Sequence, residues 1–298
     1  MPDPGSNPLE GPPAVPVLGA EGPPPVPILG AEGPPAYPFL VRRPEIRQYG
    51  WVPDAPDPRD LMYAAPAPIA AALPASVDLQ ALCPPVYDQG QLGSCTGNAI
   101  AAALQFVRMK ERSPHANLVP SRLFIYYGER VIEGTVNSDA GASLRDGMKV
   151  VSTEGDCFES GPNSWPYVIA DFAVAPPAAC VPAAAVNEVK QYTSLVQALS
   201  QMKGCLAEGY PFVFGFTAFP ALEANPFPDS GLLPMPGAGE TPIGGHAVMA
   251  IGYDDAKQAF KIRNSWGSTW GLQGYFWMPY AYLISPHLAQ NFWTIHLV

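Results

Sequence analysis

A helix that is apolar on nearly every side can persist only between two other layers, and this chain contains one. After the polar, glycine-broken stretch Asp88-Gln89-Gly90-Gln91-Leu92-Gly93-Ser94-Cys95-Thr96-Gly97-Asn98, the residues Ala99, Ile100, Ala102, Ala103, Leu104, Phe106 and Val107 cover most of a helical circumference. Arg108, Lys110 and Arg112 finish the segment, and Ser113-Pro114 stops it. The fold must therefore bury this helix between two lobes, with Cys95 at its start. A helix N-terminus carries about half a positive charge and unpaired N–H groups, which favour the thiolate, so Cys95 is a candidate nucleophile. Gly90 and Gly93 allow a tight turn and close approach of a substrate backbone. Gln89 supplies a side-chain amide for a developing oxyanion.

An activated thiol needs a base and the base needs an orienting partner. Of the four histidines, His115 follows a helix stop in a polar segment and His287 and His296 sit near the C-terminus, and all three read as surface or core residues. His246 opens the apolar run Gly245–Tyr253, which turns at Asp254-Asp255 and returns as Phe260–Trp266. His246 and Asn264 are equidistant from Asp255. A regular hairpin would set them opposite each other, with Cβ atoms about 5 Å apart. Asn264 would then hold one imidazole nitrogen and leave the other for Cys95, with Trp266 shielding that contact from water.

The Gln-Gly run leading into Gly93-Ser94-Cys95, the histidine strand, and Asn264-Ser265-Trp266-Gly267 continued by Trp270-Gly271 resemble the papain-like cysteine peptidases. Leu73–Asp78 resembles the start of the mature enzyme in that family, and Trp165-Pro166-Tyr167 its aromatic-Pro-Tyr turn. The resemblance implies an α+β, two-lobed fold with a mostly helical N-terminal lobe, an antiparallel β-rich C-terminal lobe and the active-site cleft between them. It also implies a cysteine-type endopeptidase acting on peptides or proteins. Cys95 would attack, His246 would move the proton, Asn264 would orient His246, and Gln89 with the Cys95 N–H would hold the oxyanion. Gly141, in the loop Asn137–Ala142, Gly245, bordering an apolar subsite, and Trp266 are the implied substrate-binding residues. Leu92 stands where the family usually has a second cysteine, which removes one expected disulfide. The alternative reading is a catalytically quiet peptide-binding module of the same fold with a partner-docking tail, and transfer in place of hydrolysis suits the same triad.

The N-terminal quarter is different material, holding 20 of the 38 prolines in residues 1–76. An 11-residue unit beginning Glu-Gly-Pro-Pro occurs three times between residues 10 and 40, a composition that favours polyproline II or disorder. The expected organisation is repeats over 1–40, an extended strap over 41–72 and the peptidase domain over 73–298, with its helical lobe at about 73–180 and its β lobe at 181–298. Tyr37 and Phe39 at the end of the repeats and Tyr49, Trp51 and Tyr63 in the strap are anchors a free linker has no use for. The strap is expected to lie over the body and partly cover the cleft as an intramolecular inhibitor, so that deleting residues 1–72 would raise activity.

Helices are expected at Ser121–Ile132, Ser143–Thr153 and Ser194–Glu208. The Pro/Ala-rich run Phe172–Ala185 reads as the crossing between lobes, and the long Pro220–Gly245 loop as an overhang of the cleft. The five cysteines contain no Cys-x-x-Cys pair, which argues against a zinc site, and no other cofactor is implied. Apart from Cys95 they read as buried thiols. A net charge of −10 argues against a nucleic-acid surface. No apolar run reaches the roughly 18 residues of a membrane span, and no signal peptide opens the chain. The expected location is the cytoplasm, or outside the cell by a non-classical route.

Overall fold

The structure, a computed structural model, describes Met1, residues 49–224 and residues 227–296. The proline-rich repeats and the anchors Tyr37 and Phe39 lie outside the described residues. Of the two units into which the chain divides, Met1–Phe39 and Leu40–Val298, the second carries every element described. In chain order these are α1 (Ala67–Ala71), β1 (Ser76–Asp78), α2 (Cys95–Lys110), α3 (Arg122–Ile132), α4 (Leu144–Thr153) and α5 (Cys180–Ala185). There follow β2 (Gln191–Ser194), α6 (Leu199–Ala207), β3 (Phe212–Ala218), β4 (Gly244–Asp254), β5 (Ala259–Arg263), β6 (Tyr275–Pro279), α7 (Tyr280–Ile284) and β7 (Ala289–His296). Helices α2 to α4 make the first lobe, and the second is an antiparallel sheet ordered β2-β7-β3-β4-β5-β6 with β1 added to β4.

Helix α2 is buried from Cys95 through Arg108, as its apolar circumference requires. Its core-facing residues Ala99, Ile100 and Ala103 pack with Ala247, Met249 and Ile251 of β4. The intervening β4 residues Val248 and Ala250 face the other way, into a cluster with Phe212, Phe214 and Phe216 of β3. Period-two alternation thus buries both faces of the central strands and leaves the start of β4 against the start of α2. The lobe's other helices begin at serine caps: Ser121 accepts from Phe124 N–H and Ser143 from Asp146 N–H.

Four features depart from the sequence reading. Residues 191–194 form β2, paired with β7, and the helix begins only at Leu199. Tyr192 and Thr193 are β-favouring residues at the entrance of that segment, and pairing with β7 outweighs the helical pattern that follows. Cys157 and Cys180 form a disulfide with Cα atoms 5.7 Å apart, so they are not the buried thiols expected; Cys83, Cys95 and Cys205 are free. That bridge holds α5 against the helical lobe, where Cys180 and Ala184 pack with Leu123 and Trp165, so helical packing continues past residue 180. Closing its 23-residue loop contributes about 3 kcal/mol by the chain-entropy argument.

The fourth departure is the hairpin register. His246 and Asn264 are not a directly opposed pair. Asp254 pairs with Ala259, Gln258 takes a left-handed φ of 51°, and the register slips between Ala250 and Gly252. The last pair is Met249 with Arg263, so Asn264 comes level with Val248, two residues from His246 on the same face. The turn is longer than a symmetric one about Asp255, and Asp254 stabilises it by accepting from Ala256 N–H at 2.8 Å.

Candidate active site

The slipped register still brings the two side chains together. His246 Nε2 lies 2.8 Å from Asn264 Oδ1, and His246 Nδ1 is buried with no hydrogen-bond partner. Trp266 covers the imidazole, ring centroids 4.9 Å apart, and Phe216 on the adjoining strand meets it edge-on at 5.7 Å. Cys95 is fully buried at the first residue of α2, with backbone groups of Ala247, Gly50 and Thr96 close enough to its sulfur to favour the thiolate. Ala247 follows His246 in β4, so β4 supplies both the imidazole and a backbone group that meets the thiol.

Gln89 is held from several directions. Its Nε2 donates to Leu92 O at 2.9 Å, its Oε1 accepts from Ser265 Oγ at 2.6 Å, and its backbone N–H donates to Ser265 O at 2.9 Å. The carbonyl on either side is held as well: Arg122 Nη1 donates to Asp88 O at 3.1 Å, and Tyr167 Oη to Gln89 O at 2.9 Å. Arg122 lies over the Tyr87 and Tyr167 rings and is paired with Glu159. Ser265, Tyr167 and Arg122 were not singled out from the sequence. Ser265 and Tyr167 sat inside quoted motifs without a role, whereas nothing local marks Arg122.

The strap crosses this site. Gly50 O accepts from Ala142 N–H at 2.7 Å, Ala142 O accepts from Val52 N–H at 2.9 Å, and Trp51 N–H donates to Gly245 O at 3.0 Å. A Cβ on Gly50 would lie 1.7 Å from Gly93 O, so only glycine can approach the Cys95 loop this closely. Trp51 fills a hollow that exists because β3 and β4 lack side chains there: Cβ atoms on Gly215 and Gly245 would fall 1.8 and 2.4 Å from Trp51. Tyr49 stands edge-on to His246 and Trp266. The strap thus meets Gly245 and Trp266, and Gly50 O lies where a Cβ on Gly141 would come within 2.0 Å.

Burial beneath the strap opposes the acidic thiol expected at a helix start. Desolvation pushes the Cys95 thiol up to about 12 and the His246 imidazole down to about 4, the latter despite the bond to Asn264. Both groups are held neutral in the covered state. The helix terminus can favour a thiolate only once water or substrate replaces the strap.

Farther along, the strap is pinned to α4. Asp54 N–H donates to Asn291 Oδ1 at 3.0 Å, and its carboxylate accepts from Arg145 N–H at 3.2 Å. Desolvation raises Asp54 from 3.8 to about 6; Ser143 and Arg145 oppose the rise and Asp146 adds to it. Because the docked group holds its proton more tightly than a free strap would, docking is favoured below about pH 4. That advantage is lost as pH rises through 6. The ratio of Cys95 alkylation rates, native protein over Asp54→Asn, is therefore expected to rise between pH 4 and 7. A flat ratio would show that Asp54 does not couple docking to pH.

The family model for papain family cysteine proteases matches residues 73–284, and the chain belongs to that family. It is 40% identical over 219 residues to the uncharacterized peptidase C1-like protein L477 of Acanthamoeba polyphaga mimivirus, covering 71% of this chain and 69% of that one. Its fold is similar to that of xylellain, a cysteine protease from Xylella fastidiosa, with a TM-score of 0.77 and 43% identity over 87% of this chain and 99% of that one. The digestive procathepsin L2 proteinase of Tenebrio molitor larval midgut shares the fold at a TM-score of 0.66 and 19% identity, over 86% and 81% of the two chains. The protein is a papain-like cysteine protease.

Proposed function

We propose that this protein is an endopeptidase that cleaves peptide bonds through Cys95, His246 and Asn264, and that its own strap keeps it latent. The observation that carries the reading is the imidazole held at 2.8 Å by Asn264, with its other nitrogen buried and unpartnered, on the strand whose next residue, Ala247, brings a backbone group to the sulfur of the buried Cys95 at a helix start. Cys95 adds to the carbonyl carbon and its proton passes to His246. His246 returns that proton to the leaving amine as the C–N bond breaks, and water then hydrolyses the thioester. Gln89 and the Cys95 N–H stabilise the oxyanion, Gln89 being clamped by Ser265. The strap continues past Gly50 on both sides, with Tyr49 and Trp51 each seated, and this supports cleavage within a chain over trimming from an end. Gly141, Gly245 and Trp266 are assigned to the substrate backbone and flanking side chains.

An electrophilic thiol reagent and an internally quenched peptide blocked at both ends, applied to the protein freed of residues 1–52, test the reading together. Single-site labelling at Cys95 and cleavage inside the peptide are expected. Labelling without cleavage of any peptide would leave a binding module and reject the proposal. Asn264→Ala is expected to lower kcat by roughly 10- to 1000-fold without abolishing it, because the imidazole still reaches the thiol but less often. A loss as complete as that of the cysteine variant would give Asn264 a different role.

A further inference from the structure

The strap's Tyr49 ends on a side chain that the catalytic scheme does not use. Its hydroxyl donates to Glu223 Oε1 at 2.8 Å. The ring between them is walled by His246 at 5.8 Å and Trp266 at 5.9 Å, both edge-on. The floor is Gly244, where a Cβ would lie 2.6 Å from the Tyr49 ring, so the hollow depends on that residue having no side chain. Glu223 closes the short turn Pro220–Glu223, which the fully buried Leu222 anchors in the core, so its carboxylate is held at a set depth. Among the described residues Glu223 makes no ion pair.

The position of this hollow relative to the chemistry follows from the proton transfer. His246 must deliver a proton to the leaving amine, so the residue after the scissile bond lies against the imidazole, on the side Trp266 covers. Trp51, bonded to Gly245 O, lies on the other side of Gly50. We propose, resting on the endopeptidase reading above, that Gly244, Trp266 and Glu223 form a specificity subsite for the residue after the scissile bond. It takes an aromatic side chain that ends in a hydrogen-bond donor, a tyrosine. When the strap withdraws, Glu223 loses its phenol donor inside a half-enclosed aromatic hollow. A substrate tyrosine restores that hydrogen bond, whereas a phenylalanine fills the same space and leaves the carboxylate without it.

The test uses the full chain carrying Tyr49→Ala, which loosens the strap and empties the hollow, and peptides differing only in Tyr or Phe after the cleaved bond. A Tyr-over-Phe preference of roughly tenfold in kcat/KM is expected, and adding Glu223→Ala brings the ratio to about one through a loss on the Tyr peptide. Equal rates in Tyr49→Ala, or an unchanged ratio after Glu223→Ala, overturn the subsite while leaving the peptidase reading intact. If Cys95 is alkylated but neither peptide nor any other is cleaved, the peptidase reading falls and the subsite with it. A second measurement needs no substrate. In the otherwise native chain, Tyr49→Phe and Glu223→Ala should each raise Cys95 alkylation about threefold, and the double variant no further, since both remove one bond. Additive effects would show that the two residues act separately and would overturn the proposal.

Discussion

Cys95→Ala is expected to abolish peptide turnover, by on the order of 10⁴-fold or more, while the protein folds as before. In the proposed mechanism the Cys95 thiolate forms the acyl bond, and the free cysteines Cys83 and Cys205 pack in different surroundings, Cys205 bonding Tyr210 O and Cys83 bonding Leu79 O. Alanine suits the first turn of a helix, and removing one buried sulfur atom costs about 1 kcal/mol, a shift of a few degrees in Tm at most. Turnover and thermal unfolding measured on the same preparation separate the two effects. Retained turnover would remove Cys95 from the mechanism. Binding of a substrate peptide should survive in the variant, because Gln89 remains clamped by Ser265 and Leu92.

Much of this site is visible before any fold is known, and the reason is chemical. Cys95 at the head of an apolar helix, Gln89 on a glycine-broken turn and Asn264 after a strand are local arrangements of a few residues, and local patterns survive in one dimension. The all-apolar circumference of α2 gave away its burial for the same reason. What joins these pieces is long-range. Ser265 reaches Gln89 across 176 positions and Tyr167 across 78, contacts that no spacing rule anticipates. The meeting of His246 and Asn264 was legible, but through a symmetric hairpin that the chain does not form; the longer turn and the slip near Ile251 shift the strands, and side-chain reach absorbs the offset. Three of the aromatic anchors, Tyr49, Trp51 and Tyr63, were readable as anchors. Their landing places were not, because the hollows are defined by side chains that Gly215, Gly244 and Gly245 lack.

Two deletions should give opposite results, although both remove the segment over Cys95. Removing residues 1–52 takes away Tyr49, Gly50 and Trp51 and is expected to raise alkylation of Cys95 and peptide turnover together, by tenfold or more. Gly50 no longer covers the sulfur, water enters, and the burial that holds the thiol near 12 and the imidazole near 4 is relieved. Removing residues 1–72, the cut suggested by the sequence, also removes part of the second lobe. Tyr63 N–H donates to Ser194 O and Ser194 N–H to Leu61 O, both at 2.8 Å, so the strap pairs with β2. The Tyr63 ring is buried with Leu195, Met202 and Cys205, and its hydroxyl donates to Glu208 at 2.6 Å. Ala65 packs on Gly204 of α6 and its N–H donates to Gln201. Losing the Tyr63 ring alone costs about 1.5–3 kcal/mol, enough to lower Tm by several degrees in a domain whose whole stability is about 5–15 kcal/mol. The longer deletion should therefore unfold earlier and lose activity on warming, while the shorter one gives up the buried Tyr49 and Trp51 rings but keeps Leu61–Ala65, and so has the higher Tm of the two. Equal reactivity of the 1–52 deletion and the intact chain would make Tyr49–Trp51 a bystander. Equal Tm for the two deletions would show that Leu61–Ala65 belongs to the strap alone and not to the fold it crosses.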